Sequence, residues 1–314
     1  MKLAAAFFRL VRWPNLVFIV ITQFLFYYCV YLPLLLQPPG IPEKFLFFLL
    51  ILSSVLIAAA GYIINDYFDL QIDVINKPDR IIINKFIKRR WAIVWHWLLS
   101  GLGILISLYI SYKTGVWIIS LINFLCVFLL WLYSITLKKR LLVGNVIISL
   151  LAAWVIGVVY FFAGTDLFSF ADLPGQAENF NVRRFFKFTI LYAGFAFIMT
   201  LIREVIKDME DMEGDRKYGC NTLPIGWGIP ASKIFTGVWI SVSIAALAAL
   251  QLYAGLSGWW LAAIYVVFLI IAPLIYLLRS LIKSNTPANF HSLSTWVKLI
   301  MLSGILSMLL LKFA

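Results

Sequence analysis

The sequence predicts an all-α, polytopic membrane protein, a bundle of about nine transmembrane helices. Three observations carry that prediction. Of 314 residues 63% are hydrophobic and only 13% charged, with a mean hydropathy of +0.97, whereas a soluble domain is nearer half apolar and a quarter charged. Apolar stretches recur at about the 20-residue length that crosses the hydrocarbon layer as a helix. The alternation of apolar and polar residues that marks a membrane β-barrel is absent, which leaves the helix as the backbone that satisfies its own hydrogen bonds in lipid.

The elements follow in order. Arg9 and Arg12 interrupt the first apolar stretch and no small-residue cleavage site follows, so a short amphipathic lead-in is expected rather than a cleaved signal. Pro14 then opens the first span. The spans fall roughly at 14–36, 45–65, 91–112, 115–135, 142–163, 186–206, 234–254, 258–278 and 294–313. No soluble domain fits between them. The chain reads as one transmembrane domain, 1–314, with cap loops near 66–90 and 203–233.

A net charge of +12 would suggest nucleic acid in a soluble protein. Here the orientation rule for Lys and Arg accounts for it, and no nucleic-acid partner is expected. With the N-terminus in the cytoplasm, loops 66–90, 136–141, 203–233 and 279–285 fall inside and carry most of the 26 basic residues. The active loops are therefore expected on the cytoplasmic side of a cytoplasmic membrane. Cys29, Cys126 and Cys220 show neither metal spacing nor a disulfide framework. His96 and His291 are isolated and expected at the membrane interface.

The acids are concentrated. Ten of the 14 Asp and Glu residues lie between Asp66 and Asp79 or between Glu204 and Asp215, each group following an apolar span. Asn65, Asp69 and Asp73 recur every four residues, which puts them on one helical stripe. Glu204, Asp208, Asp211 and Asp215 step by four, three and four, again on one face. Like charges so spaced repel, and ionisable groups at membrane depth are costly. Basic neighbours relieve the repulsion, or a divalent cation does. Mg²⁺ takes hard oxygen ligands, commonly a few carboxylates plus substrate phosphate, so two such stripes facing across a gap would hold metal ions with a diphosphate between them. Arg80, Lys138, Lys139, Arg203 and Lys207 lie on the same expected side and suit a clamp on a leaving phosphate.

Asn65-x3-Asp69-x3-Asp73 followed by Asp211-x3-Asp215 resembles the paired signature of the UbiA superfamily of intramembrane prenyltransferases. Other pieces match in order: Arg12-Trp-Pro-Asn15, Asn76-Lys-Pro-Asp79-Arg80, Tyr133-Ser134-x3-Lys138, Gly144-Asn145 and Thr222-Leu-Pro224. The resemblance covers nearly the whole chain, and nine spans is the family's count, so the fold is expected to be UbiA-like. It implies Mg²⁺-dependent transfer of a polyprenyl group from its diphosphate. By it, Asp69 and Asp73 hold one ion and Asp211 and Asp215 another, with Asn65 and Asp208 as supporting ligands. Diphosphate contacts fall to Arg12, Asn65, Arg80, Lys138 and Lys207, while Tyr133 faces the reactive carbon, where its ring stabilises positive charge.

The acceptor is either a lipid or an aromatic acid. The strings Asn65-Asp-Tyr-Phe-Asp69, Asn76-Lys-Pro-Asp79-Arg80 and Arg203-Glu204-x2-Lys207-Asp208-x2-Asp211 look closest to the branch that prenylates geranylgeranylglyceryl phosphate and forms an ether lipid. Ile81-Ile-Ile-Asn84-Lys85 departs from that branch's usual Pro-x-x-Gly. An aromatic prenyltransferase of quinone biosynthesis is the alternative. From another class, a cation transporter would place charges or broken helices near the bilayer midplane, whereas these acids cluster at span ends.

Overall fold

A computed structural model describes residues 2–35, 39–78, 81–170 and 182–313. Among them there is no β-strand, only an isolated bridge between Ile83 and Ile87. The lead-in is α1 (Lys2–Leu10) and the first span is α2 (Trp13–Leu25), continued by a π turn (Phe26–Tyr31) and a 3₁₀ turn (Leu32–Leu34). Then follow α3 (Ile41–Asn76), α4 (Arg89–Thr114), α5 (Ile118–Ile135), α6 (Val143–Phe170) and α7 (Val182–Glu210). Two short helices, α8 (Met212–Lys217) and α9 (Leu223–Gly226), precede α10 (Gly228–Leu256). The chain closes with α11 (Trp260–Val266), a π turn (Val267–Ile271), α12 (Ala272–Lys283), α13 (Pro287–Leu306) and a 3₁₀ turn (Ser307–Phe313). Among the described residues nine helical segments are long and apolar enough to cross a membrane, each overlapping one expected span.

The expected bounds fail at the acidic motifs. The second span was placed at 45–65, yet α3 runs on to Asn76. No Gly or Pro interrupts 62–76, and the helix stops two residues short of Pro78, the residue before a proline being disfavoured in α geometry. The sixth span likewise extends from 206 to Glu210. Hydropathy marks where apolar character ends, whereas the helix ends where the backbone is forced to turn.

The chain divides into two compact units, residues 1–137 with 154–189 and residues 138–153 with 190–314. In the first, Ala6, Leu10 and Val11 of the lead-in pack with Ala59, Ala60 and Ile63 of α3, Ala92 and Leu99 of α4, and Ile83 and Ile87 of the connecting loop. A buried polar chain ties four helices. Ser53 Oγ donates to the Gly103 carbonyl at 2.8 Å, Asn123 Nδ2 donates to Ser107 Oγ, and Trp154 Nε1 donates to Asn123 Oδ1 at 2.9 Å. Glycine makes the first contact possible, because a Cβ on Gly103 would lie 2.8 Å from the Ile57 side chain and 3.3 Å from the Ser53 carbonyl. At the far end from the acids, Tyr27 stacks on Phe47 with centroids 3.8 Å apart and its hydroxyl donates to Glu43 Oε1 at 3.0 Å.

In the second unit, Met199, Ile202, Ile206 and Met209 of α7 form a core with Ile240, Ile270, Leu274, Leu277, Leu281, Phe290, Leu293, Val297 and Ile300. Thr286 caps α13 by accepting from the Asn289 amide, with Pro287 at the first turn. The three cysteines are buried and form no disulfide. His96 is buried, with Nδ1 3.0 Å from the Ala60 carbonyl; a buried polar ring lowers its cost by finding a main-chain partner. His291 is half exposed, as expected.

Candidate active site

The first acidic motif occupies the last turns of α3. Asn65, Asp69 and Asp73 lie on one uninterrupted helix, as their spacing required. Asn65 Nδ2 donates to Asp69 Oδ2 at 2.8 Å, while Asn65 Oδ1 is buried without a hydrogen-bond partner. An unpaired buried acceptor costs about 1–3 kcal/mol. An amide so placed orients the carboxylate without cancelling its charge, and its own unpaired oxygen could serve a cation. The donor set of one amide and two carboxylates is all hard oxygen, which fits Mg²⁺.

Arg12 stands at the junction of α1 and α2 in the left-handed conformation, φ 52° and ψ 53°, uncommon for a residue with a side chain. Its Nη2 meets Asp66 Oδ1 at 2.6 Å and its guanidinium lies 5.2 Å from the Tyr62 ring centroid. The Asp66 carboxylate holds the Arg12 guanidinium above its ordinary pKa, outweighing the opposite effect of burial. A residue expected on the diphosphate is thus engaged with an acid one position from the metal stripe. Tyr133 is half-buried on the last turn of α5. Arg80 and Asp79 lie outside the described residues.

The second motif departs from expectation. Glu204 and Asp208 are on α7, which ends at Glu210, and Asp211 opens α8 with φ −93° and ψ 5°. The four acids therefore do not share one continuous helix. Main-chain bonds bridge the break, Asp211 N to the Lys207 carbonyl at 2.8 Å and Asp215 N to the Asp211 carbonyl at 3.2 Å, so the stripe bends without ending. Asp211 occupies the N-cap position but its side chain does not cap α8, although aspartate is a favoured cap. Gly219, at φ +70°, then turns the chain, and the Cys220 amide returns to the Asp215 carbonyl at 2.9 Å.

Charge on this helix is met in two ways. Glu204 is held by Arg203 Nη1 at 3.0 Å and Lys207 Nζ at 3.1 Å, and Glu210 lies 2.8 Å from His291 Nδ1. Asp208 instead accepts from Asn145 Nδ2 at 2.8 Å. Asn145 is buried at the start of α6 and was not anticipated as a partner, since 63 residues separate the two and no local spacing reveals the pair. Lys207, expected on the diphosphate, braces Glu204. Lys138 is half-buried on a 3₁₀ turn, Leu137–Lys139. Among the described residues no three His, Cys, Asp or Glu side chains converge into a ready-made metal cage; Mg²⁺ commonly takes one or two carboxylates and completes its shell with phosphate and water.

An all-helical membrane bundle with two amide-braced acidic motifs defines a class that handles a diphosphate at the membrane surface. The model of the UbiA prenyltransferase family matches residues 24–302, and the chain belongs to that family. It is an enzyme, a prenyltransferase, and the transporter alternative falls. A digeranylgeranylglyceryl phosphate synthase from Methanothermobacter thermautotrophicus is 36% identical over 239 residues, 76% of this chain and 74% of that protein. One from Methanopyrus kandleri is 30% identical over 82% of this chain and 83% of its own. Among solved structures, one of digeranylgeranylglyceryl phosphate synthase in membranes superimposes with a TM-score of 0.61 at 24% identity, covering 98% and 99% of the two chains. A UbiA homolog from Archaeoglobus fulgidus bound to GPP and Mg²⁺ gives 0.55 at 16% identity over 96% and 99%.

Removing the amide that braces Asp208 tests whether the second motif is positioned from α6. Asn145→Ala is expected to lower turnover about 10–100-fold, the usual loss when a ligand's supporting partner goes, while the protein still inserts and purifies. Turnover at the wild-type level would show that Asn145 serves packing alone.

Proposed function

We propose that this enzyme transfers a geranylgeranyl-class polyprenyl group from its diphosphate to the hydroxyl of a prenylated glycerol phosphate, forming an ether lipid. The relatives named above support the acceptor class. The observation that carries the metal site is Asn65, braced on Asp69 with its own amide oxygen buried and unpaired. Asn65, Asp69 and Asp73 would hold one Mg²⁺ ion and Asp208, Asp211 and Asp215 a second. Bound Mg²⁺ supplies positive charge to the diphosphate oxygens as the leaving group departs.

In the reaction the allylic C1–O bond breaks, its electron pair leaves with the diphosphate, and C1 bonds to the acceptor oxygen. Lys138, Lys207, Arg80 and the remaining N–H groups of Arg12 steady the departing charge, and the Tyr133 ring steadies positive charge at C1. The hydroxyl proton must leave as the new bond forms, because an alcohol is a poor nucleophile. Asp66 is engaged by Arg12 at 2.6 Å, whereas Asp208 is held by a neutral amide. We therefore assign the base to Asp208, a supporting rather than a principal ligand, whose carboxylate would take the proton when not fully engaged by the metal. The apolar interior houses the prenyl tails, and the acidic motifs face the cytoplasm.

Three outcomes are expected. Asp69→Ala and Asp211→Ala each lower turnover roughly 100–1000-fold or more, the scale lost with a principal charge-stabilising group, and EDTA does the same; substantial activity in any of the three sinks the two-motif site. Asn84→Cys, on the exposed loop after the first motif, is labelled by an impermeant thiol reagent from the cytoplasmic side only. The native cysteines are buried and give little background; labelling from outside reverses the orientation. Vesicles given geranylgeranyl diphosphate with geranylgeranylglyceryl phosphate, hydroxybenzoate and dihydroxynaphthoate together yield the ether lipid by mass spectrometry. An exclusively aromatic product would overturn the acceptor assignment.

A further inference from the structure

The polar face of α7 does not stop at the acidic motif. Rotation by 100° per residue places Thr200, Arg203, Glu204 and Lys207 of α7 within one arc of about 100°, with Asp208 about 40° beyond it. Of the α7 residues in the core of the second unit, Ile202 and Met209 lie opposite this arc and Met199 and Ile206 flank it. From Asp211 the polar arc descends roughly 16 Å along the helix to Thr200, well inside the apolar span Val182–Glu210.

Two donors on this arc are buried with no partner. Thr200 is 6% exposed, and its Oγ1 makes no hydrogen bond, although a helical threonine ordinarily returns its hydroxyl to the carbonyl four residues back, as Thr189 does here at 2.9 Å. Arg203 donates through Nη1 to Glu204, while its Nε is buried and unpaired. The two residues are three apart and thus adjacent on the helix surface. Arg203, Glu204 and Lys207 together carry one net positive charge. Buried donors left unpaired are costly, and a guanidinium edge beside a hydroxyl matches the oxygens of a phosphate.

We propose that Arg203 and Thr200 form the subsite that binds the phosphate of the glycerol phosphate lipid acceptor, an inference that rests on the ether-lipid reading above. Arg203 lies eight residues inward from Asp211, roughly 12 Å along the helix, so it serves a different anion from the one at the acidic motif. The acceptor must present its hydroxyl on the apolar side of the departing diphosphate, where C1 lies, and its phosphate travels with it. Lysine at 203 would keep the charge and lose the planar edge.

The test compares KM values in vesicles for geranylgeranyl diphosphate, for geranylgeranylglyceryl phosphate and for its dephosphorylated counterpart, geranylgeranylglycerol. Wild type is expected to prefer the phosphorylated acceptor. Arg203→Gln should raise the KM for that acceptor about 10–100-fold, the scale of a lost hydrogen bond to a charged group, leave the donor KM within about twofold, and largely abolish the preference over the neutral alcohol. Arg203→Lys and Thr200→Val should erode the same preference more mildly, and they carry the test if the glutamine variant fails to fold. Retained preference in the variants, or a donor KM that rises in step, would overturn the subsite and leave the ether-lipid reading standing. If wild type prenylates neither glycerol acceptor but does prenylate hydroxybenzoate, that reading itself fails and the subsite with it.

Discussion

The organising constraint is negative charge gathered at the ends of membrane helices. Carboxylates there repel one another along each stripe and are poorly solvated, so each needs a partner before the fold can hold it. The structure supplies partners of two kinds. Asp66, Glu204 and Glu210 are met by the cationic or titratable groups of Arg12, Arg203 with Lys207, and His291. Asp69 and Asp208 are met by the amides of Asn65 and Asn145. A cation neutralises; an amide only aims. Each amide falls on an acid of one of the two motifs proposed to hold the metal.

Much else in the fold follows from aiming those groups. The lead-in α1 packs Ala6, Leu10 and Val11 against the acid-bearing end of α3 and the loop residues Ile83 and Ile87, which brings Arg12 to Asp66 at the cost of a left-handed backbone. The chain bends at Asp211 and doubles back at Gly219, with the Asn221 amide donating to the Lys139 carbonyl at 2.8 Å. That contact joins the second motif to the turn carrying Lys138. Gly226 sits against this turn closely enough that a Cβ would lie 2.8 Å from Asn221 Oδ1 and 2.9 Å from the Leu141 side chain.

The class of fold was legible because burial in lipid imposes length and composition on every span, and the first motif was legible because its four-residue period is a local property of one helix. What sequence reasoning missed is nonlocal or lies at breaks. Asn145 and Asp208 are 63 residues apart, and only folding brings them together. Periodicity carried the second stripe straight through Asp211, because nothing in Met209 to Glu213 announces the change in backbone angle; Gly214 comes only after it. The spans end short of their helices, at 65 and 206, because apolarity and helicity part company wherever a helix leaves the bilayer still hydrogen-bonded.

The two halves of the chemistry make different demands on α7, and its sequence divides accordingly. Holding a diphosphate through Mg²⁺ needs oxygen ligands at the aqueous end, which any member of the family must provide whatever its acceptor. Discriminating a lipid phosphate from an aromatic carboxylate needs donors farther in, where low polarity makes an unpaired group expensive and a mismatched ligand correspondingly unwelcome. Arg203 and Thr200 sit at that depth, on the face of α7 that flanks the core residues Met199 and Ile202. The string Arg203-Glu204-x2-Lys207-Asp208 therefore joins both demands on one helix: Glu204 anchors Nη1 of the guanidinium while Nε stays unpaired, and Asp208, held by the Asn145 amide, belongs to the motif proposed to hold the metal. On this reasoning acceptor choice follows from the residues about two and three turns below Asp211.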